Sequence, residues 1–145
     1  MVLPDDSPRR AMGVDYGERR IGLALSDPLG VTAQPFAVVE RVGPRKDANV
    51  IGDHFEEQSV DVLVVGLPLT LSGEAGPAVD AVRQFVERVQ RRLPGKRIVF
   101  WDERMTTVQA EREMITTGAR REKRRQRIDS VAATLILQSW LDAES

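Results

Sequence analysis

The chain has 145 residues, 41% of them hydrophobic and 30% charged, with a net charge of −1 and a pI near 5.9. That length is one domain, able to bury roughly two-thirds of its unfolded surface, and the near-neutral balance excludes a protein that coats nucleic acid by overall charge. The absence of cysteine excludes disulfides, thiolate metal sites and cysteine nucleophiles, and fits a reducing, cytoplasmic setting.

The start "MVLPDDSPRR" is polar and acidic, unlike a secretory signal, and reads as a tail (1–10) ahead of a single domain (11–145). No apolar run reaches the length of a membrane span, so the expectation is a soluble protein. "AMGVDYG" and "IGLALSD" are consecutive strands joined through "ERR", short enough for an antiparallel hairpin, and "QPFAVVERV" is a third strand after the "DPLG" turn. From about Lys46 to Ser59 the period becomes helical, with Val50, Ile51, His54 and Phe55 on one face. His54, the single histidine, lacks nearby partners for metal binding or catalysis.

"VDVLVVGLPL" is a continuous apolar strand of the kind covered on both faces, and it runs into "TLSGEAG", expected to be a flexible loop. A helix follows from about Pro77 to Leu93, with Val79, Val82, Phe85, Val86 and Val89 on one stripe, and "RIVFWDER" is the fifth strand. Thr106 and Gln109 form a capping box for a helix running to Gly118. The run "RREKRRQR" (120–127), with six basic residues and one acid, then separates this helix from a last one, expected to begin at Asp129, in "IDSVAATLILQSWL". The order β-β-β-α-β-α-β-α-α predicts a mixed sheet whose later strands return in parallel through crossover helices.

Asp15 interrupts an apolar strand, and a buried carboxylate needs compensation. If the first, fourth and fifth strands are parallel neighbours, Asp15 and the Asp102–Glu103 pair emerge at one sheet edge, where open α/β sheets place their ligands, and the small residues Ala132 and Ala133 let Asp129 approach it. Clustered carboxylates repel, and a divalent cation resolves the conflict; oxygen ligands without histidine or cysteine select Mg²⁺ or Mn²⁺, the ions of phosphodiester hydrolysis. Taken singly, each acid also has a plainer role: Asp15 accepting from the Gly17–Arg20 turn, Asp102 or Glu103 pairing with Arg104, Asp129 at a helix start.

At these residues the sequence resembles the YqgF (RuvX) family of bacterial proteins, associated with maturation of 16S ribosomal RNA precursors and with Holliday junction resolution. "GVDYGERRIGLALSD" is similar to the family's opening D-x-G-x-x-R-I-G hairpin, "VVGLPLTLSGEAG" to its central strand and loop, "WDERMTTVQAE" to its D-E-R block and "RIDSVAATLILQSWL" to its closing helix. The resemblance spans nearly the whole chain, from Ala11 to about Leu141. It implies an α/β, ribonuclease H-like fold with a five-stranded mixed sheet in the order 3-2-1-4-5, helices on both faces, and metal-dependent phosphodiester hydrolysis. Carried onto matching positions, the acidic triad is Asp15, Glu103 and Asp129. Adjacent strand residues point to opposite faces, so only one of the Asp102–Glu103 pair is expected to face the metals unless the strand has already ended, and the resemblance implies Glu103.

Related junction resolvases often carry a further acid three residues before the last catalytic one, where this chain has Gln126. Arg20 and Arg104 flank the acids as phosphate contacts or as structural ion-pair partners. Arg120, Arg121, Lys123, Arg124, Arg125 and Arg127 become a phosphate-tracking segment, with no interleaved aromatics for base stacking. The partner implied is nucleic acid: precursor ribosomal RNA, or branched DNA cut by a homodimer. A binding module without catalysis would keep the fold and the basic run, and an actin-type ATPase would need a second domain.

Overall fold

The computed structural model describes residues 10–70, 72–106 and 121–144, with side chains given throughout except at 121–130. Its elements are β1 (Ala11–Tyr16), β2 (Arg20–Ser26), β3 (Ala33–Glu40), α1 (Pro44–Glu57), β4 (Val62–Leu67), α2 (Pro77–Arg92), β5 (Arg97–Asp102), a 3-10 turn (Glu103–Met105) and α3 (Arg121–Glu144). The strands form one sheet in the order β3-β2-β1-β4-β5. The first three pair antiparallel, while β1 with β4 and β4 with β5 run parallel.

Strand alternation sorts the apolar residues between two cores. Met12 and Val14 of β1, with Leu63 and Val65 of β4, face Ile51 and Phe55 of α1 and Val82, Phe85 and Val89 of α2. Ala11 of β1, with Val62 and Val64 of β4, faces Ala132, Ala133, Ile136 and Leu137 of α3. The central strands are thus covered on both sides, which explains their unbroken apolar runs. At the margin, β3 carries Pro35 at an irregularity in its pairing with β2, the setting in which a strand tolerates proline.

α1 begins two residues earlier than periodicity alone predicts, because Pro44 fits the first helical position, where its missing N–H costs nothing. The "TLSGEAG" segment is also more structured than expected. Gly73 N–H donates to the Thr70 carbonyl at 2.8 Å, Thr70 N–H to the Glu74 carbonyl at 3.1 Å, and Glu74 N–H to Thr70 Oγ1 at 3.0 Å.

The largest correction concerns the last helix. It starts at Arg121 rather than Asp129, so the basic run from 121 to 127 forms its first turns instead of a connecting loop. Arg, Lys, Glu and Gln are good helix formers, and no glycine or proline interrupts the chain from 121 to 144. Asp129 therefore lies in the helix interior, which removes the helix-start role considered for it. The helix expected from Thr106 to Gly118 falls at 107–120, outside the described residues, as does Arg120.

Candidate active site

The C-terminal ends of β1, β4 and β5, the start of β2 and the end of β3 all open onto one edge of the sheet, as the pairing directions require. Two acids are buried there. Asp15, opposite Gly22 in the hairpin ladder, is 2% exposed, and Glu103, just past the end of β5, is also 2% exposed. Asp15 continues the series Ala11, Gly13 that faces α3. Glu103 lies in the 3-10 turn past β5, and its carboxylate stands over Gly66 beside Ile136 of α3, so both carboxylates belong to the α3 face.

Gly66, the residue after Val65 in β4, lies in the strand between them. A Cβ there would sit 3.1 Å from Glu103 Oε2 and 2.5 Å from Ile136 Cδ1, so the Glu103 carboxylate occupies the space over Gly66 that a side chain would fill. Gly13 does the same for the helix: a Cβ would meet the Ala133 carbonyl oxygen at 2.7 Å and Leu137 Cβ at 2.8 Å. Two absent side chains therefore bring α3 and the Glu103 carboxylate down onto the sheet beside Asp15.

The 3-10 turn separates the two adjacent acids. Asp102 accepts from Arg104 main-chain N–H at 2.9 Å and from the guanidinium at 2.9 Å (Nε) and 2.7 Å (NH2). The Arg104 hydrogen bonds hold the Asp102 carboxyl below the ordinary aspartate range, with burial opposing them. Arg104 also lies beside the Thr70–Glu74 turn, its NH1 3.1 Å from the place of a side chain on Gly73. Arg20 pairs with Glu40 at 3.0 Å across β2 and β3.

A third buried acid, Asp47, stands at 1% exposure in the first turn of α1. Its Oδ1 accepts from the Val42 and Gly43 N–H groups at 3.0 and 3.4 Å, and its Oδ2 lies 3.8 Å from Arg41 Nε. The Arg41 guanidinium covers the Tyr16 ring at 4.3 Å, and that ring stacks on Phe85 at 4.3 Å. Burial pushes the Tyr16 phenol up, against the lowering influence of Arg41. Sequence reasoning overlooked Asp47 and Arg41, although Pro44 followed three residues later by an acid is a helix-start signal. His54 meets Phe36 edge-on at 5.3 Å in a packing role.

The donor chemistry at the edge fits a hard divalent cation: two buried carboxylates with neither histidine nor cysteine beside them. Among the described residues no group of three or more acids, histidines or cysteines could hold a metal ion, and the side chain of Asp129 lies outside that description. Also among the described residues, no helix is long and apolar enough to cross a membrane.

A mixed sheet in this order, flanked by helices on both faces, with carboxylates at the ends of its parallel strands, defines a ribonuclease H-like α/β protein. The fold is similar to that of Thermus thermophilus RuvC in complex with a Holliday junction substrate, with a TM-score of 0.60 at 12% identity over 94% of this chain and 97% of that one. It is also similar to the Fowlpox virus resolvase, with a TM-score of 0.57 at 10% identity over 93% and 98%. A family model described as "RuvX: Holliday junction resolvase" matches residues 9–143. The chain is 49% identical over 138 residues to a protein of Roseiflexus sp. named "Putative pre-16S rRNA nuclease", covering 94% of this chain and 96% of that one. It is 42% identical over 136 residues to one of the same name from Halothermothrix orenii, covering 94% and 96%. The protein belongs to the RuvX family, a nuclease family of the ribonuclease H-like class.

Proposed function

We propose that the protein is a divalent-cation-dependent endonuclease that processes the 5′ end of the 16S ribosomal RNA precursor. The observation that carries this reading is the pair of buried carboxylates, Asp15 and Glu103, brought to one face of the sheet edge across Gly66 in a chain of this family. The names of relatives more than 40% identical over nearly the whole chain support RNA as substrate.

Asp15, Glu103 and Asp129, the last from α3, would hold Mg²⁺ or Mn²⁺. When bound, the ion supplies a water activated at neutral pH and charge stabilisation for the phosphate oxygens. Asp15 and Glu103 serve this role because burial fixes their geometry and excludes bulk water. Asp102 stays outside the set, its charge directed to Arg104. Arg104, oriented by Asp102 and lying beside the Thr70–Glu74 turn, and Arg20, oriented by Glu40, bring guanidinium groups to the rim for phosphate contact. Arg120, Arg121, Lys123, Arg124, Arg125 and Arg127 track the nucleic-acid backbone without reading sequence.

The family description favours a second substrate, a four-way DNA junction. Incubating the protein with Mg²⁺ and either a labelled precursor rRNA fragment or a labelled junction tests the choice. Cleavage of the RNA alone is expected; cleavage of the junction alone would overturn the ribosomal assignment.

A further inference from the structure

Asp15 stands near the end of its strand, where the sheet supports it least. The parallel pairing of β1 with β4 stops at Val14 against Val65, and beyond it Asp15 and Tyr16 are paired with Gly22 and Ile21 of β2. From Asp15 onward β1 therefore has a paired strand on one side only. Gly22 places no side chain beside the carboxylate. The turn that follows, Gly17 to Arg19, is closed by Gly17 N–H donating to the Arg20 carbonyl at 2.9 Å. A segment with so few main-chain bonds opens locally unless something else secures it.

Arg41, just past β3, secures it. Its NH1 donates to the Gly17 and Glu18 carbonyls, each at 2.9 Å, and its main-chain N–H donates to the Arg19 carbonyl at 2.9 Å, so one residue grips every carbonyl of the turn. The guanidinium lies 4.3 Å over the Tyr16 ring, which stacks on Phe85, and the grip is thereby tied to the core under α1 and α2. Hydrogen bonds from a cation are the stronger kind, and a ring beneath the cation adds to them. Asp47 holds the guanidinium in turn. Its Oδ1 accepts from the Val42 and Gly43 N–H groups that follow Arg41, while its buried Oδ2 has no hydrogen-bond partner among the described residues and faces Arg41 Nε at 3.8 Å. That oxygen is compensated by charge alone, which fixes Arg41 beside it. The functional side chains this pair reaches through the chain are Asp15, two residues before Gly17, and Arg20, the residue after Arg19.

We propose that Arg41, held by Asp47, is a positioning residue: it fixes the end of the β1–β2 hairpin and with it the Asp15 carboxylate in the geometry a divalent cation needs. A site of this kind works only when its side chains are held within about 0.5 Å, so a brace two residues along the chain acts on metal affinity. The consequence for metal rests on the nuclease reading, while the brace itself is tested without metal. Arg41→Met removes the charge and both side-chain bonds to the turn. In hydrogen exchange of the metal-free protein, the Gly17 amide is expected to exchange about tenfold faster, with the Val60 amide, bonded to the Phe55 carbonyl, unchanged. In electron paramagnetic resonance titrations with Mn²⁺, Kd is expected to rise about tenfold, toward the value for Asp15→Asn, and cleavage to recover as Mg²⁺ is raised. A residue serving stability alone would speed both amides together and leave the Mn²⁺ affinity of the folded protein where it was. Should the stranded Asp47 charge prevent Arg41→Met from folding, the double change Arg41→Met with Asp47→Asn removes that charge as well and is expected to give the same two results. A Gly17 amide that keeps its rate relative to Val60, or an unchanged Mn²⁺ affinity in a folded variant, would overturn the proposal. If the wild type binds no Mn²⁺ and cleaves neither RNA nor DNA, the nuclease reading fails, while exchange at Gly17 still decides whether Arg41 braces the hairpin.

Discussion

The Trp101 indole N–H donates to Ser139 Oγ at 2.9 Å, and the same hydroxyl donates to the Met105 carbonyl at 3.2 Å. One side chain of α3 thus grips the chain on both sides of Glu103. Ser139→Ala removes both bonds; it is expected to lower stability by about 1 kcal/mol in urea unfolding and to reduce cleavage by a larger factor than that loss accounts for. Unchanged turnover would show that the turn holds its shape without the helix.

Asp15→Asn keeps the volume of the side chain and removes its charge. Even outer-shell partners of a metal typically cost about 10- to 100-fold when lost, so cleavage is expected to fall at least about 100-fold, while nucleic-acid affinity stays within about twofold. Chelation of divalent ions should have the same effect on the wild type, reversed by added Mg²⁺. Full activity in Asp15→Asn, measured by single-turnover cleavage, would remove Asp15 from the site.

Gly13→Ala and Gly66→Ala should behave differently, although both fill space under α3. At Gly13 the new carbon meets a main-chain carbonyl that cannot turn aside, and a loss of about 2 kcal/mol is expected. At Gly66 it meets the tip of Ile136 and the Glu103 carboxylate, which can shift. Stability should drop by only about 1 kcal/mol, while displacement of Glu103 lowers kcat on the order of tenfold to a hundredfold. Denaturation and cleavage measured side by side separate the two.

Asp102 has a folded-state pKa lowered chiefly by the Arg104 hydrogen bonds. Its contribution to stability is therefore present above the ordinary aspartate value of 3.8 and is lost as pH falls through the lower, folded value. Arg104→Met should destabilise the protein modestly at pH 7, and thermal unfolding should show the difference from wild type closing as the solution is acidified. A difference independent of pH would mean that Arg104 acts through packing alone.

The paired change Arg124→Gln and Arg125→Gln is expected to weaken nucleic-acid binding and to reduce the slope of log affinity against log salt by about 2. Fluorescence anisotropy at several salt concentrations measures this. An unchanged slope would place these residues away from the bound backbone.

Most of the sheet was legible in the chain because its strands are short apolar runs bounded by turn residues: "ERR" and "DPLG" around the hairpin strands, and an unbroken apolar run in Val62–Leu67. The preference for Glu103 over Asp102 came from the family resemblance, since alternation does not choose between neighbours; β5 ends at Asp102, which turns to Arg104, and Glu103 is buried in the 3-10 turn that follows. What was not legible depended on distant partners. Asp47 looks like one more surface acid until Arg41 and the Val42 N–H are placed against it. The start of α3 was misplaced because a block of like charge reads as solvated loop, although its residues individually favour helix. The contacts at Gly13 and Gly66 were invisible, since the sequence does not state which backbone passes overhead.

The irregular outer strand has a bearing on self-association. A regular margin offers an incoming chain a row of amide and carbonyl groups to extend, but Pro35 has no amide proton to give and the pairing there is out of step. Neighbouring molecules colliding along β3 are poorly matched for zipping together, which protects the protein from fibre-like growth on that flank when it is abundant.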